Sequence, residues 1–340
     1  MNAIVTSGLT KVYGHGRRPH LRGRRDADVV ALDRLSIEVR EGEIFGFLGP
    51  NGAGKSTAIR LLLGFLHPTA GAATVMGFDA VRESVEIRRR TGYLPGGIAL
   101  YDTMTGEALL DYLADLTGRK PIRRDELCER LELPPATLGR EVRDYSRGMR
   151  QKLGIVQSLQ HDPALAILDE PTEGLDPLMQ RAFYEILDDL RLAGRTIFFS
   201  SHILSEVERV CDRVAIIRRG ELVALEDVAS LLARRKRNVE MRIAGSAPAL
   251  DGVPGVTAVE LDADGRLTCH LEGDVRPFLA AIRAAEILDL TIEPAHLEEA
   301  FLELYHDELP VDRDGDGSGS LGTRVGRGAG EAGERAGSTR

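Results

Sequence analysis

Short apolar runs alternate with helical periodicity along the first 240 residues. The apolar runs predict strands buried on both faces, at 43–49, 165–169 and 196–200. Apolar positions that recur every three or four residues predict helices at 56–66 and 177–194, the second closed by Gly194. Strands and helices in this alternation are typical of an α/β domain with a largely parallel sheet.

Three parts of the chain depart from that alternation. Residues 103–160 have helical periodicity with few strand signals, which predicts a helical subdomain inserted into an α/β domain that spans 1–237. A separate small α+β domain is expected at 238–306, with strands at 239–243, 256–261, 266–273 and 290–295 and helices at 274–288 and 296–306. Gly, Ser, Arg and Asp dominate residues 307–340, which predicts a disordered tail because such a composition has little to bury.

Composition and charge narrow the class of protein. A chain of 340 residues with 43% hydrophobic content can bury one large core and a smaller one. It has no apolar stretch near the roughly 20 residues that span a bilayer and no secretory leader pattern, so we expect a cytoplasmic protein. The net charge of -9 argues against general nucleic-acid binding. A basic insertion at 14–30 is either a solvated loop or a contact for anionic lipid or an acidic partner.

The nine residues from 49 to 57 read GPNGAGKST and match the phosphate-loop motif, with a predicted strand before it and a predicted helix after it. The glycines allow the backbone to form a concave nest of N–H groups for phosphate oxygens. The pattern thus predicts an ATP site in which Lys55 reaches the β- and γ-phosphates and Ser56 offers a hydroxyl to Mg²⁺. The predicted contacts with the nucleotide in this loop come from Gly49, Pro50, Asn51, Gly52, Ala53, Gly54, Lys55, Ser56 and Thr57.

Four carboxylates lie at the end of the predicted buried strand at 165–169 and just beyond it, in the sequence LAILDEPTEGLDP. Asp169 ends this strand, where open α/β sheets bind ligands, and is expected to hold Mg²⁺ together with Ser56. Glu170 points in a different direction and is expected to orient or deprotonate the attacking water. For the two carboxylates beyond, we expect solvent exposure of Glu173 and helix N-capping by Asp176 ahead of Pro177.

The segment DYSRGMRQKLGIVQSLQHDPALAILDEPTEGLDP (144–177) resembles the signature, Walker B and D-loop block of ABC ATPases. The resemblance covers residues 8–220. It implies the P-loop NTPase fold of an ABC-type ATPase core, and it implies ATP hydrolysis. It places Ser146 and Gly148 in the signature sequence and His202, in SSHILSEVE, at the switch histidine. It also makes Tyr13 the aromatic residue that stacks on adenine.

Residues 31–57 and the segment LTIEPAHLEEAFLELY (290–305) resemble the ATP-binding subunits of ABC-2 type exporters, in particular their drug-resistance branch. Such subunits are separate chains that act as dimers on a membrane permease subunit, which implies peripheral attachment to the cytoplasmic face of the membrane. A dimer has a physical reason here: the turn from Ser146 to Gly148 opens a helix whose free N–H groups favour an anion. A second copy can present that turn to the γ-phosphate, with Asp176 at the seam.

Other functions stay open at this stage. A soluble ABC protein that acts on ribosomes or DNA is less favoured, because the chain has one phosphate loop and no extended heptads. An ABC-type nucleotide switch with little turnover is suggested by Gly96, which stands where the family usually has Gln or Glu beside Mg²⁺ and the water. We expect Gly96 to slow hydrolysis by the isolated subunit, whereas Glu170 and His202 argue that the chain does hydrolyse ATP.

Overall fold

A computed structural model describes residues 1–14, 28–233, 237–262 and 264–293 of the chain. Its strands are β1 Asn2–Tyr13, β2 Val29–Leu35, β3 Glu38–Arg40, β4 Ile44–Leu48, β5 Ala70–Val75, β6 Phe78–Asp79, β7 Thr91–Leu94, β8 Leu165–Asp169, β9 Thr196–Ser201, β10 Arg213–Arg218, β11 Glu221–Asp227, β12 Arg237–Ala244, β13 Val256–Leu261, β14 Arg266–Leu271 and β15 Glu286–Ile292. Its helices are α1 Lys55–Leu62, α2 Ser84–Arg90, α3 Gly106–Thr117, α4 Arg124–Arg130, α5 Pro135–Leu138, α6 Arg147–Leu159, α7 Pro177–Leu192, α8 Leu204–Val210, α9 Val228–Ala233 and α10 Arg276–Ile282. None of the helices in these ranges combines the length and the apolar character needed to cross a bilayer.

The central sheet has six strands in the order β11-β10-β4-β9-β8-β7, parallel except for the edge strand β11. Its strands are apolar along their whole length because both faces are covered. In β4, Ile44 and Leu48 join the apolar core shared with helices α3, α4, α6 and α7, whereas Phe45 and Phe47 join the core shared with α1. This confirms the predicted α/β domain with a parallel sheet.

The order of the strands decides where the predicted site lies. Strand β9 lies between β4 and β8, so the carboxyl ends of these three strands are neighbours. The phosphate loop follows β4, Asp169 ends β8, and Ser201 ends β9. The carboxyl edge of a parallel sheet is where open α/β folds bind ligands.

Two smaller parts accompany the central sheet. A second sheet has the strand order β2-β1-β5-β6, and β3 also pairs with β1. Strands β1 to β3 precede the phosphate loop in the sequence, and β5 and β6 follow it. The predicted helical block at 103–160 contains helices α3 to α6, as expected. Helix α1 ends earlier than predicted, at Leu62, because Gly64 adopts a left-handed conformation with φ of 67° and turns the chain away.

The C-terminal region forms a four-stranded antiparallel sheet in the order β13-β14-β12-β15 with α10 against its apolar face. The expected helix at 274–288 was too long. It ends at Ile282, and residues from Glu286 onward form strand β15, in which Ile287 pairs with Ile243 of β12. Strand pairing here overrides a helical sequence pattern. The expected helix at 296–306, the tail at 307–340 and most of the insertion at 14–30 lie outside the described residues.

Candidate nucleotide site

The phosphate loop is packed so closely that two of its glycines have no room for a side chain. A Cβ on Gly49 would lie 2.3 Å from the carbonyl oxygen of Ile217, and a Cβ on Gly54 would lie 2.5 Å from that of Ala31. Gly54 also has φ of 109°, which favours glycine, and it immediately precedes α1. The loop therefore ends at the start of α1, where unpaired backbone N–H groups favour an anion.

Lys55 is the first residue of α1, and its side chain is buried, with 5% exposed. Its Nζ donates to the carbonyl oxygen of Gly49 at 2.6 Å and lies 3.1 Å from Oε1 of Glu170. A buried ammonium needs such partners because an unpaired charge in the interior is costly. The same position gives the pocket a cation beside the phosphate loop.

Asp169 holds two hydroxyl groups from two other elements. Ser56 Oγ of α1 donates to its Oδ2 at 2.8 Å, and Ser200 Oγ of β9 donates to its Oδ1 at 2.9 Å. The carboxylate of Asp169 and the hydroxyl of Ser56 thus lie side by side at the pocket. This all-oxygen set fits a hard cation such as Mg²⁺, which prefers a few protein oxygens and completes its shell with water and phosphate.

Glu170 adopts a left-handed backbone conformation with φ of 51°, which is uncommon for a residue with a side chain. Its N–H donates to the carbonyl of Ser200 at 3.0 Å, which continues the sheet for one more residue. Its Oε1 faces Lys55, and its Oε2 lies 2.6 Å from Nδ1 of His202, whose side chain is 43% exposed. Strained backbone of this kind is typical of functional sites, and here the side chain of Glu170 lies against Lys55 and His202.

Each of the four carboxylates at the end of β8 and beyond it has a partner. Asp176 accepts the N–H groups of Leu178 and Met179 and so caps α7, as predicted. Glu173 is exposed, as predicted, and its carboxylate also forms an ion pair with Arg147, the first residue of α6. The two residues are 26 positions apart in the sequence, and only the fold brings them together.

A pocket of about 480 Å³ gathers most of these groups. Among the predicted residues, it is lined by Pro50, Asn51, Gly52, Gly54, Lys55, Ser56, Thr57, Asp169 and Glu170. Gly49 and Ala53 do not line it. Sequence reasoning missed further lining residues, namely Val29, Val30, Ala31, Arg60, Tyr93, Pro95, Gly97 and Glu173. The position of β2 beside the phosphate loop has no local sequence signal, because it comes from sheet pairing.

Tyr13 lies at the rim of this arrangement. It ends β1, where it pairs with Val29 of the pocket wall, and the residue is 40% exposed. Lys11 Nζ lies 5.4 Å from the centre of its ring. The ring itself does not line the described pocket. Stacking of Tyr13 on adenine stays a prediction from the resemblance.

The signature turn lies outside the pocket of its own chain. Ser146 caps α6 by accepting the N–H of Met149 at 3.2 Å, which confirms that a helix opens at this turn. A Cβ on Gly148 would lie 2.9 Å from the carbonyl of Gly174, so the turn packs on the loop between β8 and α7. Neither residue reaches the nucleotide pocket of the same chain. Their contact with nucleotide stays a prediction.

Gly96 lines the pocket directly beside the expected Mg²⁺ ligand. A Cβ at this position would lie 3.2 Å from Oδ2 of Asp169 and 3.3 Å from its Cγ, which is a tight contact. The sequence suggested that Gly96 leaves a ligand missing. The structure adds a second consequence, since any side chain here pushes on Asp169 before it offers an oxygen.

We expect the isolated Gly96→Gln subunit to hydrolyse ATP about tenfold faster than Gly96→Ala. Both substitutions crowd Asp169, but only Gln adds an oxygen near the metal and the water. One charge-assisted contact of about 1.5 kcal/mol corresponds to a tenfold change in rate. Steady-state ATPase of both variants and of the native chain provides the comparison. If Gln and Ala have equal rates, the loop does not limit turnover.

Comparison with known proteins shows the family of this chain. A family model described as ABC transporter matches residues 32–173. An uncharacterized ABC transporter ATP-binding protein of Nostoc sp. is 36% identical over 88% of this chain and 89% of its own length. The bacitracin transport ATP-binding protein BcrA of Bacillus licheniformis is 34% identical over 88% and 96% of the two chains, and the daunorubicin resistance ATP-binding protein DrrA3 of Streptomyces coeruleorubidus is 35% identical over 91% and 98%.

Solved structures have the same fold. The structure of an ATP binding subunit of an ABC transporter, 29% identical, superposes with a TM-score of 0.59 over 67% of this chain and 91% of its own. The dimeric post-hydrolysis state of an ATP-binding cassette bound to ADP and Pi, 21% identical, superposes with a TM-score of 0.59 over 66% and 98%. This chain therefore belongs to the ATP-binding proteins of ABC transporters, and it is an ATPase subunit of that family.

Proposed function

We propose that the chain hydrolyses Mg²⁺-bound ATP at the pocket between the phosphate loop and the ends of β8 and β9, and that this drives export through a separate membrane subunit. One observation carries the catalytic part: Lys55, Ser56, Asp169 and Glu170 come from two distant segments and converge on one pocket. Cation, metal-ligating oxygens and a further carboxylate are the groups that phosphoryl transfer requires.

Each residue has a separable role in this proposal. The N–H groups of the loop and Lys55 hold the β- and γ-phosphates, and Ser56 and Asp169 hold the metal. When bound, Mg²⁺ neutralises charge that develops on the phosphate oxygens. Glu170 accepts the proton of the attacking water, and His202, 2.6 Å from its Oε2, orients that carboxylate.

A second copy of the chain completes the site. Ser146 and Gly148 lie outside the pocket of their own chain, at the N-terminus of α6, where free N–H groups favour an anion. A partner copy can present them to the γ-phosphate, with Asp176 near the seam. The dimeric, ADP- and Pi-bound cassette of the same fold is consistent with this arrangement.

Export is supported by the relatives named for bacitracin transport and daunorubicin resistance. A groove of about 570 Å³ offers a surface for the membrane subunit, and it is lined by Leu63, Phe65, Val85, Arg88, Arg89, Thr91, Tyr93, Leu113, Leu116, Thr117, Gln157 and His161. Its apolar side chains Phe65, Val85 and Leu116 are exposed. Exposed apolar side chains gathered in a groove suit a protein segment that covers them.

Tyr93 connects this groove to the nucleotide. It lines both cavities, and its carbonyl accepts the side-chain amide of Gln157 at 2.8 Å. Burial, and after it the negative charge of Asp169, raise the pKa of the Tyr93 phenol. A partner in the groove therefore contacts a residue that also borders the metal-binding carboxylate. Such a partner would hold this chain at the cytoplasmic face of the membrane.

A photo-crosslinking residue at Val85 should join the chain to an integral membrane protein in intact cells. Val85→Glu and Leu116→Glu should abolish co-purification of that protein and the stimulation of ATPase that it causes, because both place a charge in the apolar groove. Leu192→Glu is the matched control, since Leu192 is an exposed leucine at the end of α7 outside the groove.

The alternative is a soluble nucleotide switch with little turnover. It predicts crosslinks to soluble proteins only, and basal hydrolysis that no membrane subunit raises. Either outcome would exclude the transport part of the proposal.

A further inference from the structure

Glu206 is a carboxylate buried behind the catalytic groups, with 5% of the residue exposed. It lies on α8, and its Oε1 accepts the hydroxyl of Thr172. Its Oε2 accepts the hydroxyl of Ser201 at 2.6 Å. Thr172 and Ser201 are themselves buried, and they belong to two different segments, the loop after β8 and the end of β9.

Both hydrogen bonds run toward Glu206. The hydroxyls of Thr172 and Ser201 donate, and the carboxylate oxygens of Glu206 accept. The oxygen of Ser201 is used a second time, because it accepts the N–H of Ile203 at 3.0 Å. Burying a carboxylate is costly unless it is well hydrogen-bonded, and the two hydroxyls supply these hydrogen bonds.

The two hydroxyl residues flank the contact between Glu170 and His202. Thr172 follows Glu170 by two positions, and Ser201 directly precedes His202. Glu170 has strained backbone, and His202 is partly exposed, so the 2.6 Å contact between their side chains depends on the segments that carry them. Both segments are attached to the same carboxylate.

We infer that Glu206 is a positioning residue for ATP hydrolysis: its two oxygens hold the loop after β8 and the end of β9 at the spacing at which Glu170 and His202 meet. The inference rests on the roles proposed above for Glu170 and His202. It assigns Glu206 no contact with nucleotide or metal, and it makes Thr172 and Ser201 the points through which it acts.

Comparison of Glu206→Ala with Glu206→Gln tests this inference. Alanine removes both hydrogen bonds, so kcat should fall about 100-fold, the effect of a small misplacement of catalytic groups, while the KM for ATP stays within about twofold because the phosphate loop is untouched. Glutamine can accept from Ser201 and donate to Thr172, since a hydroxyl does both, so it should restore most of kcat. Rescue by Gln separates a positioning role from a need for negative charge.

Thr172→Val and Ser201→Ala each remove one hydrogen bond to Glu206. They test the same inference if Glu206→Ala does not fold. Each should lower kcat, and the double variant should lose less than the product of the single losses, because both act through one carboxylate. Native kcat in Glu206→Ala, or equal losses in Glu206→Ala and Glu206→Gln, would overturn the inference.

Glu170→Gln and His202→Ala belong in the same assay. If they lose hydrolysis and Glu206→Ala does not, only the positioning role is excluded. If they hydrolyse ATP at the native rate, the proposed catalytic assignment is wrong, and the role of Glu206 is excluded with it.

Discussion

Replacing Lys55 with alanine should weaken equilibrium binding of ATP about 100-fold, which corresponds to about 3 kcal/mol. Lys55 is the buried cation of the phosphate loop, and its Nζ lies 2.6 Å from the carbonyl of Gly49 and 3.1 Å from Glu170. Its loss removes charge-assisted hydrogen bonds to the phosphates. It also leaves the carboxylate of Glu170 without its ion pair beside the phosphates. Calorimetric titration with ATP measures the affinity.

Two controls separate the role of Lys55 from general charge and from the metal. Arg60→Ala removes another cation that lines the pocket, and its effect should be much smaller because Arg60 lies farther along α1. Asp169→Asn keeps partners for Ser56 and Ser200 but removes the charge, so it should spare nucleotide binding and weaken the dependence on Mg²⁺. Unchanged ATP affinity in Lys55→Ala would exclude this loop as the site.

Glu170→Gln should retain ATP and accumulate an ATP-dependent dimer, while hydrolysis falls about 100-fold or more. Glutamine has nearly the same shape and can still face Lys55 and His202, but it is a poor proton acceptor. Since the γ-phosphate stays in place to bridge two copies, the dimer persists. Light scattering with ATP and with ADP measures the size, and phosphate release measures hydrolysis.

Glu185→Gln is the control for this variant. Glu185 pairs with Arg181 on the exposed side of α7, so loss of its charge should leave both hydrolysis and the size in ATP at native values. A Glu170→Gln variant that hydrolyses ATP at the native rate would remove Glu170 from the catalytic role. A variant that stays monomeric in ATP would contradict the proposed shared site.

Local sequence patterns predicted the elements of the central domain with small errors at their ends. Helix α7 was predicted at 177–194 and ends at Leu192, and the strand at 165–169 has the predicted bounds. Such elements are fixed by near neighbours, namely apolar periodicity, the cap at Asp176 and the glycine at 194. The helix predicted at 274–288 failed where pairing of β15 with a distant strand outweighed its periodicity.

The sequence by itself determined the chemical groups of the site, because a motif such as 49–57 encodes its own geometry over nine residues. It also indicated that Asp169 and Glu170 end a buried strand and point in different directions. Only the tertiary structure decided which groups meet: Glu173 with Arg147, Glu206 with Thr172 and Ser201, and Gly96 with Asp169. These contacts join residues up to 73 positions apart in the sequence. Gly96 and Asp169, the most distant pair, meet because the paired strands β7 and β8 end beside each other. Sheet order and helix packing create such proximity, and no local pattern of hydrophobic and polar residues specifies it.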